Sequence, residues 1–145
     1  MAFKHPVSVL VVIFAQDTGR VLMLQRRDDP GFWQSVTGSL EPGETPAQTV
    51  VREVWEETAI DIVQANAVVI ETGKAIDFEI FAHYRHRYAP GTTHNREHWF
   101  TLALPHEQDV TLTEHLAFQW LLPAQAAALT KSWSNRQAIE EFVLI

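Results

Sequence analysis

Apolar residues crowd two early stretches, Val7–Ala15 and 21–25, separated by the polar run Gln16-Asp17-Thr18-Gly19-Arg20, which suits a hairpin turn. Both stretches are β-branched and aliphatic, so each predicts a buried strand. The second delivers Arg26 and Arg27 at its end. Asp29-Pro30-Gly31 and Glu41-Pro42-Gly43 then break the pattern, and 28–43 reads as a loop around Phe32, Trp33 and Gly38. A helix is expected over 45–58, with Thr45 as its cap and Pro46 in the first turn, where proline is tolerated. Beyond it, β-like patterning returns at 67–71, 76–88, 98–104 and 118–121, with a turn at Ala89-Pro90-Gly91. Helical patterning closes the chain at 123–129 and 134–143, the latter with Ser134 as its candidate cap.

Strands on both sides of one central helix, followed by strands and terminal helices, point to an α/β fold with a mixed sheet covered by helices. The 145 residues suit a single domain over 1–145, without internal repeat or linker. A composition of 46% hydrophobic and 20% charged residues removes disordered and fibrous readings. The net charge of −7 argues against a nucleic-acid polymer as partner, because such binding needs a field that attracts polyanions. A small phosphorylated ligand stays compatible if a cation or a few basic side chains neutralise it locally. The absence of cysteine excludes disulfides, thiolate zinc sites and a cysteine nucleophile. Val7–Ala15 is too short for a membrane span and lacks the flanks of a signal sequence, so a soluble cytoplasmic protein is the expectation.

The central helix carries the candidate chemistry. At about 100° per residue, Glu53, Glu56 and Glu57 share an arc of roughly 100°. Ala47, Val51, Val54 and Trp55 fall opposite, which predicts a core-facing side and a carboxylate side. Like charges at this spacing destabilise a helix unless something compensates them. A hard dication such as Mg²⁺, with Mn²⁺ as substitute, prefers carboxylate oxygen and can bridge to phosphates. A solvated acidic face is the plainer explanation for an anonymous Glu-rich helix.

The wider spacing decides between them. Gly38, Glu44, Arg52-Glu53-Val54, Glu56-Glu57 and Ile60 reproduce G-x5-E-x7-R-E-U-x-E-E-x-G-U, U being aliphatic, at every position but Ala59, which replaces the last glycine. Coincidence of these positions by chance is expected in fewer than about one in 10⁴ such chains. The chain therefore resembles the Nudix hydrolases, which implies an α/β/α sandwich and metal-dependent cleavage of a phosphoanhydride. The resemblance implies Glu53 and Glu57 as main metal ligands and Glu56 as a further ligand or as the group orienting a metal-bound water. It implies an Arg52–Glu44 brace, and a loop carboxylate for which Glu114 is the candidate. At Ala59 a left-handed helix end would carry a Cβ, a local change that touches no carboxylate.

Further segments extend the resemblance: 20–30, Phe32-Trp-Gln-Ser-Val-Thr-Gly38, Phe78-Glu-Ile-Phe81, His86-Arg-Tyr-Ala-Pro-Gly91 and 129–139. They are similar to the branch of the family that converts 7,8-dihydroneopterin triphosphate to the monophosphate and pyrophosphate, an early step of folate synthesis. That likeness implies Lys4, Arg26, Thr37, Phe78, Glu79, Ile80, Phe81 and Ser132 around the ligand, where they offer cations, hydroxyls and an apolar wall. Lys131 is a weaker candidate for phosphate. The alternatives are a housecleaning enzyme for dATP or an oxidised purine triphosphate, and a non-catalytic nucleotide-binding module, which would not need the full carboxylate set. His83, His86, His94 and His98 lack metal-ligand spacing and read as strand or loop residues, against a zinc site.

Overall fold

The computed structural model describes residues 3–143. Its elements are β1 (Val7–Ala15), β2 (Val21–Arg26), β3 (Trp33–Gln34), β4 (Val36–Ser39), α1 (Pro46–Thr58), β5 (Val68–Glu79), a 3-10 helix (Ala82–Arg87), β6 (His94–Leu104), β7 (His115–Leu121), α2 (Pro123–Leu129) and α3 (Trp133–Phe142). β1 is the centre of a mixed sheet. It runs parallel to β6, from Val7 opposite Arg96 to Ala15 opposite Leu104, and antiparallel to β4 along its first half. β2 meets β1 only at Phe14 opposite Val21, then pairs with β3 and β7. β5 closes the far side against β6.

Strand periodicity sorts the core. Val9, Val11 and Ile13 of β1, Leu22 and Leu24 of β2 and Phe100, Leu102 and Leu104 of β6 pack with Val50 and Val54 of α1. Leu10 and Val12, Val21 and Met23, and Trp99 pack on the other face with Ala126, Ala127, Ala138 and Ile139 of α2 and α3. A sheet covered on both faces needs apolar residues at consecutive positions, hence the unbroken run in β1. The layering is the expected α/β/α.

Several boundaries differ from the patterning. The 28–43 stretch contains β3 and β4. The segments 67–71 and 76–88 are not two strands, because β5 continues through an irregularity between Glu71 and Ala75. Here β5 advances four residues while β6 advances two, and Gly73 adopts φ +79°, which lets the two extra residues bulge out without ending the ladder. Beyond Glu79 the chain coils into the 3-10 helix, so His83 and His86 are helical, while His94 and His98 belong to β6. α3 is capped by Ser132, whose hydroxyl accepts from the Asn135 N–H at 3.2 Å, while Ser134 lies buried in the first turn.

The expected sidedness of α1 also needs correction. Val51 and Trp55 are more than half exposed and Ala47 is exposed, whereas Thr49, Val50, Val54, Glu57 and Thr58 are buried. Val50, Val54 and Glu57 stand at i, i+4 and i+7 on one stripe. The helix is rotated so that this stripe meets β1 and β4, and one carboxylate goes inward with it. Among the described residues no helix is long and apolar enough to cross a membrane.

Candidate active site

A cleft of about 470 Å³ opens on the α3 side of the sheet. Its floor follows from register. Directly paired residues share a face, so Phe78 lies beside Asn95, Glu97 beside Ser8, and Leu10 beside Thr37. Farther along this face the inward residues are mostly apolar, Thr101 excepted, but here Ser8, Asn95 and Glu97 gather as buried polar groups. Asn95 Nδ2 donates to Ser8 Oγ at 2.7 Å, and Trp99 Nε1 donates to Glu97 Oε1 at 2.9 Å. Burial pushes the Glu97 carboxyl above the usual range, with the indole N–H and Ser134 pulling the other way.

The α1 carboxylates approach from the opposite layer. Glu57 lines the cleft, is 2% exposed, and neither of its carboxylate oxygens has a hydrogen-bond partner. Burial, then the neighbouring Glu53 carboxylate and the charge of Glu114, hold its carboxyl well above the ordinary range, with the nearby Thr37 backbone pulling the other way. Glu53 lies directly under Gly38. A Cβ at Gly38 would overlap the Glu53 side chain, so glycine lets β4 pass over it without displacing the carboxylate. Burial raises the Glu53 carboxyl as well, opposed by its contact with Glu57 and then by Arg52.

Arg52 organises the loop and helix together. Its Nε and Nη2 donate to the two Glu44 oxygens at 2.7 and 2.9 Å, Nη1 donates to Glu53 at 2.6 Å, and Nη2 reaches the Ser39 carbonyl at 3.0 Å. This bidentate pairing draws the Glu44 carboxyl down to about 2. The expected Arg52–Glu44 brace is therefore present. Glu56 takes a 3.2 Å bond from Arg52 and lies outside the cleft, in a shallow recess it shares with Trp55 and Glu114.

Basic and aromatic groups form the rim. Arg26 is held by Asp28 through Nε to Oδ1 at 2.8 Å and Nη2 to Oδ2 at 2.6 Å, with its guanidinium 5.4 Å from the Phe32 ring centre and 5.6 Å from that of Tyr84. Lys4 is anchored by its backbone N–H to the Arg87 carbonyl at 2.8 Å. Burial and the cations Arg87 and Arg26 lower its pKa, while Glu53 and Glu114 oppose the shift. Of the candidate residues, Lys4, Arg26, Thr37, Phe78, Glu79, Ile80, Phe81, Ser132, Glu57 and Glu114 all line this one cleft. Glu53 sits just beneath it and Glu56 beside it. Lys131 lines the cleft too, 3.5 Å from Asp29.

The structure adds residues that patterning missed. His115 lines the cleft, with Nε2 3.7 Å from Glu57 Oε1 and Nδ1 buried without a partner. Burial lowers its pKa, favouring the neutral ring. Its signal in the sequence is adjacency to Glu114, but the family resemblance points to the carboxylate alone. Asn95 and Glu97 are hidden because polar residues at inward positions look like solvent-facing ones.

Among the described residues, the buried side-chain polar atoms lacking a partner are Glu57 Oε1 and Oε2, Asn95 Oδ1 and His115 Nδ1. All three residues line the cleft, and unsatisfied groups gathered in one place mark a site that a ligand completes. Two orphaned carboxylate oxygens beside Glu53 and Glu114 fit the donor chemistry of a hard dication. With Glu53 turned onto Arg52, no three acidic, histidine or cysteine side chains of the described residues converge as a finished cage. An ion of the Mg²⁺ type keeps several waters and takes phosphate oxygens, so a partial protein shell suffices.

Known proteins resemble this chain along nearly its whole length. A NUDIX domain is matched over residues 4–142. The chain is 65% identical over 142 residues to dihydroneopterin triphosphate diphosphatase of Escherichia coli strain K12, covering 98% of this chain and 95% of that protein. It is 48% identical over 143 residues to the protein of the same name from Haemophilus influenzae, covering 99% and 90%. The solved E. coli dihydroneopterin triphosphate pyrophosphohydrolase superposes with a TM-score of 0.95 at 64% identity, over 99% of each chain. A C. elegans Ap4A hydrolase shares the fold at 22% identity and a TM-score of 0.73, over 94% of this chain and 93% of its own.

Proposed function

This chain belongs to the NUDIX family, whose members generally depend on a divalent metal, and on that premise we propose that it hydrolyses 7,8-dihydroneopterin triphosphate to the monophosphate and pyrophosphate. The observation that carries the reading is the gathering of every partnerless buried polar atom named above into one cleft, in a chain 65% identical to an enzyme of that activity.

Glu53, Glu57 and Glu114 are the residues that would hold Mg²⁺ or Mn²⁺, which when bound offsets phosphate charge and lowers the pKa of coordinated water. The protein's own part is positioning and charge. Arg52 fixes Glu53 from one side and Gly38 admits it from the other. Glu56, held by the same arginine, stands close enough to the Glu114 recess to orient a water. Arg26 and Lys4 supply cations for the phosphates, and Asp28 prevents Arg26 from swinging away. Thr37 and Ser132 add hydroxyls, while Phe78, Glu79, Ile80 and Phe81 wall the ring. In-line attack by water breaks the bridge between the first and second phosphates, and pyrophosphate leaves.

The decisive assay is turnover in ¹⁸O-labelled water of the pterin triphosphate beside dATP and 8-oxo-dGTP, with Mg²⁺ present. Pyrophosphate release with a kcat/KM about tenfold or more in favour of the pterin is expected. A tenfold preference for either nucleotide would replace this reading with a housecleaning one. Binding without pyrophosphate release from any substrate would make the chain a sensor.

A further inference from the structure

The cleft floor carries polarity that anhydride hydrolysis does not use. Asn95 and Glu97 point inward from β6 beside polar Ser8, on a face where Leu10, Ile76 and Trp99 are apolar. They are 2% and 6% exposed and both line the cleft. Asn95 engages Ser8 through Nδ2 and leaves Oδ1 with no partner. Glu97 accepts from the Trp99 indole and stands beside Ser134. A carboxylate has about four acceptor directions, so these two neighbours leave capacity unused.

Capping Trp99 does not require a charge. A glutamine carbonyl would accept the same N–H without burying an acid, and a serine or alanine in place of Asn95 would leave no orphaned amide oxygen. Both peculiarities vanish if a ligand brings adjacent N–H donors to this floor. A pterin does so at its amino-pyrimidinone edge, where a ring N–H stands next to an exocyclic amine.

We infer that Asn95 and Glu97 are specificity-determining residues that read this edge, Glu97 accepting from the ring N–H and the amine together, and Asn95 Oδ1 accepting the amine's other hydrogen. Phe78, opposite Asn95 in register, supplies an apolar flank. The inference rests on the pterin reading, but guanine carries the same donor pair. Adenine does not: its amine adjoins an unprotonated ring nitrogen, which a carboxylate repels. A site built to satisfy donors rejects a ring lacking them far more strongly than a merely apolar slot would.

The test measures kcat/KM for dihydroneopterin triphosphate, GTP and ATP in the wild type and in Glu97→Gln. The wild type is expected to favour GTP over ATP by about tenfold or more, and Glu97→Gln to bring the ratio within about threefold while losing roughly 100-fold on the pterin. An unchanged GTP/ATP ratio in Glu97→Gln, or no GTP preference in the wild type, overturns the assignment. A wild type that turns over GTP but no pterin triphosphate overturns the proposed function instead, and the nucleotide ratio still decides Glu97. Should Glu97→Gln fail to fold, inhibition of the wild type by pterin and by its 2-oxo analogue lumazine decides the same question. Pterin should inhibit about tenfold more strongly, and equal inhibition refutes the role.

Discussion

Glu57 sets stability against use. Its carboxyl is buried, partnerless and raised well above the ordinary range, so ionising it in the folded protein is unfavourable. For a carboxyl raised on folding, stability is complete below its unfolded pKa and is lost as pH climbs toward the folded one. In metal-free buffer, Glu57→Gln should therefore melt higher than the wild type at pH 8, by about 1–3 kcal/mol or several degrees, with the gap closing toward pH 5. The same variant should lose most turnover. Calorimetry in EDTA over that pH range checks this, and a variant less stable at pH 8 would mean that Glu57 is already satisfied in the folded chain. The sequence spacing identifies Glu57 as chemically important but not as buried. A helix wheel ranks residues by polarity, and this position is polar while packed inside, as Asn95, Glu97 and His115 are.

At the scale of elements, α1 is the most legible part of the fold. Thr45 and Gln48 form reciprocal cap bonds, Thr45 Oγ1 accepting at 3.2 Å and Gln48 Oε1 at 2.9 Å, and the helix ends at Thr58 as its pattern requires. Its last turn closes on Ala59 at φ +59°, the left-handed geometry that the signature's glycine would adopt freely. An L-residue there carries strain of roughly 1–2 kcal/mol. Ala59→Gly should raise Tm by about 2 °C once the extra freedom of unfolded glycine is subtracted, with kcat unchanged. A lowered melting temperature would show that the Cβ contributes packing instead. Less legible is 76–88, where the strand-like residues Phe81 and Tyr84 leave the sheet, Tyr84 within the 3-10 helix and Phe81 just before it, and serve the cleft rim. The early start of β6 is invisible for a related reason, since its first inward positions are polar.

For the whole molecule, the α/β/α layering is readable because strand parity and two covered faces leave a long apolar run in β1 and helical patterning at the end. The convergence of the site is not, because Lys4, Glu57, Asn95 and Ser132 are brought together by register and not by nearness in sequence. Against a net charge of −7, the cleft is balanced: Lys4, Arg26, Arg27, Arg87 and Lys131 face Asp28, Glu57, Glu79, Glu97 and Glu114. One bound dication tips that balance toward a polyphosphate. Binding to the folded state alone stabilises the entire chain, so Mg²⁺ at about ten times its Kd should raise Tm by roughly 3 °C and EDTA should reverse it. A melting curve indifferent to Mg²⁺ while Glu57→Gln still abolishes turnover would argue that the ion arrives only with substrate.

The α1 carboxylates come from a helix covering one face of the sheet, while the floor residues belong to β6 within the sheet and face its other side. Recognition and cutting are thus modular. A library varied only at positions 95, 97 and 134 could retune which heterocycle is accepted while the α1 hydrolytic apparatus stays as it is.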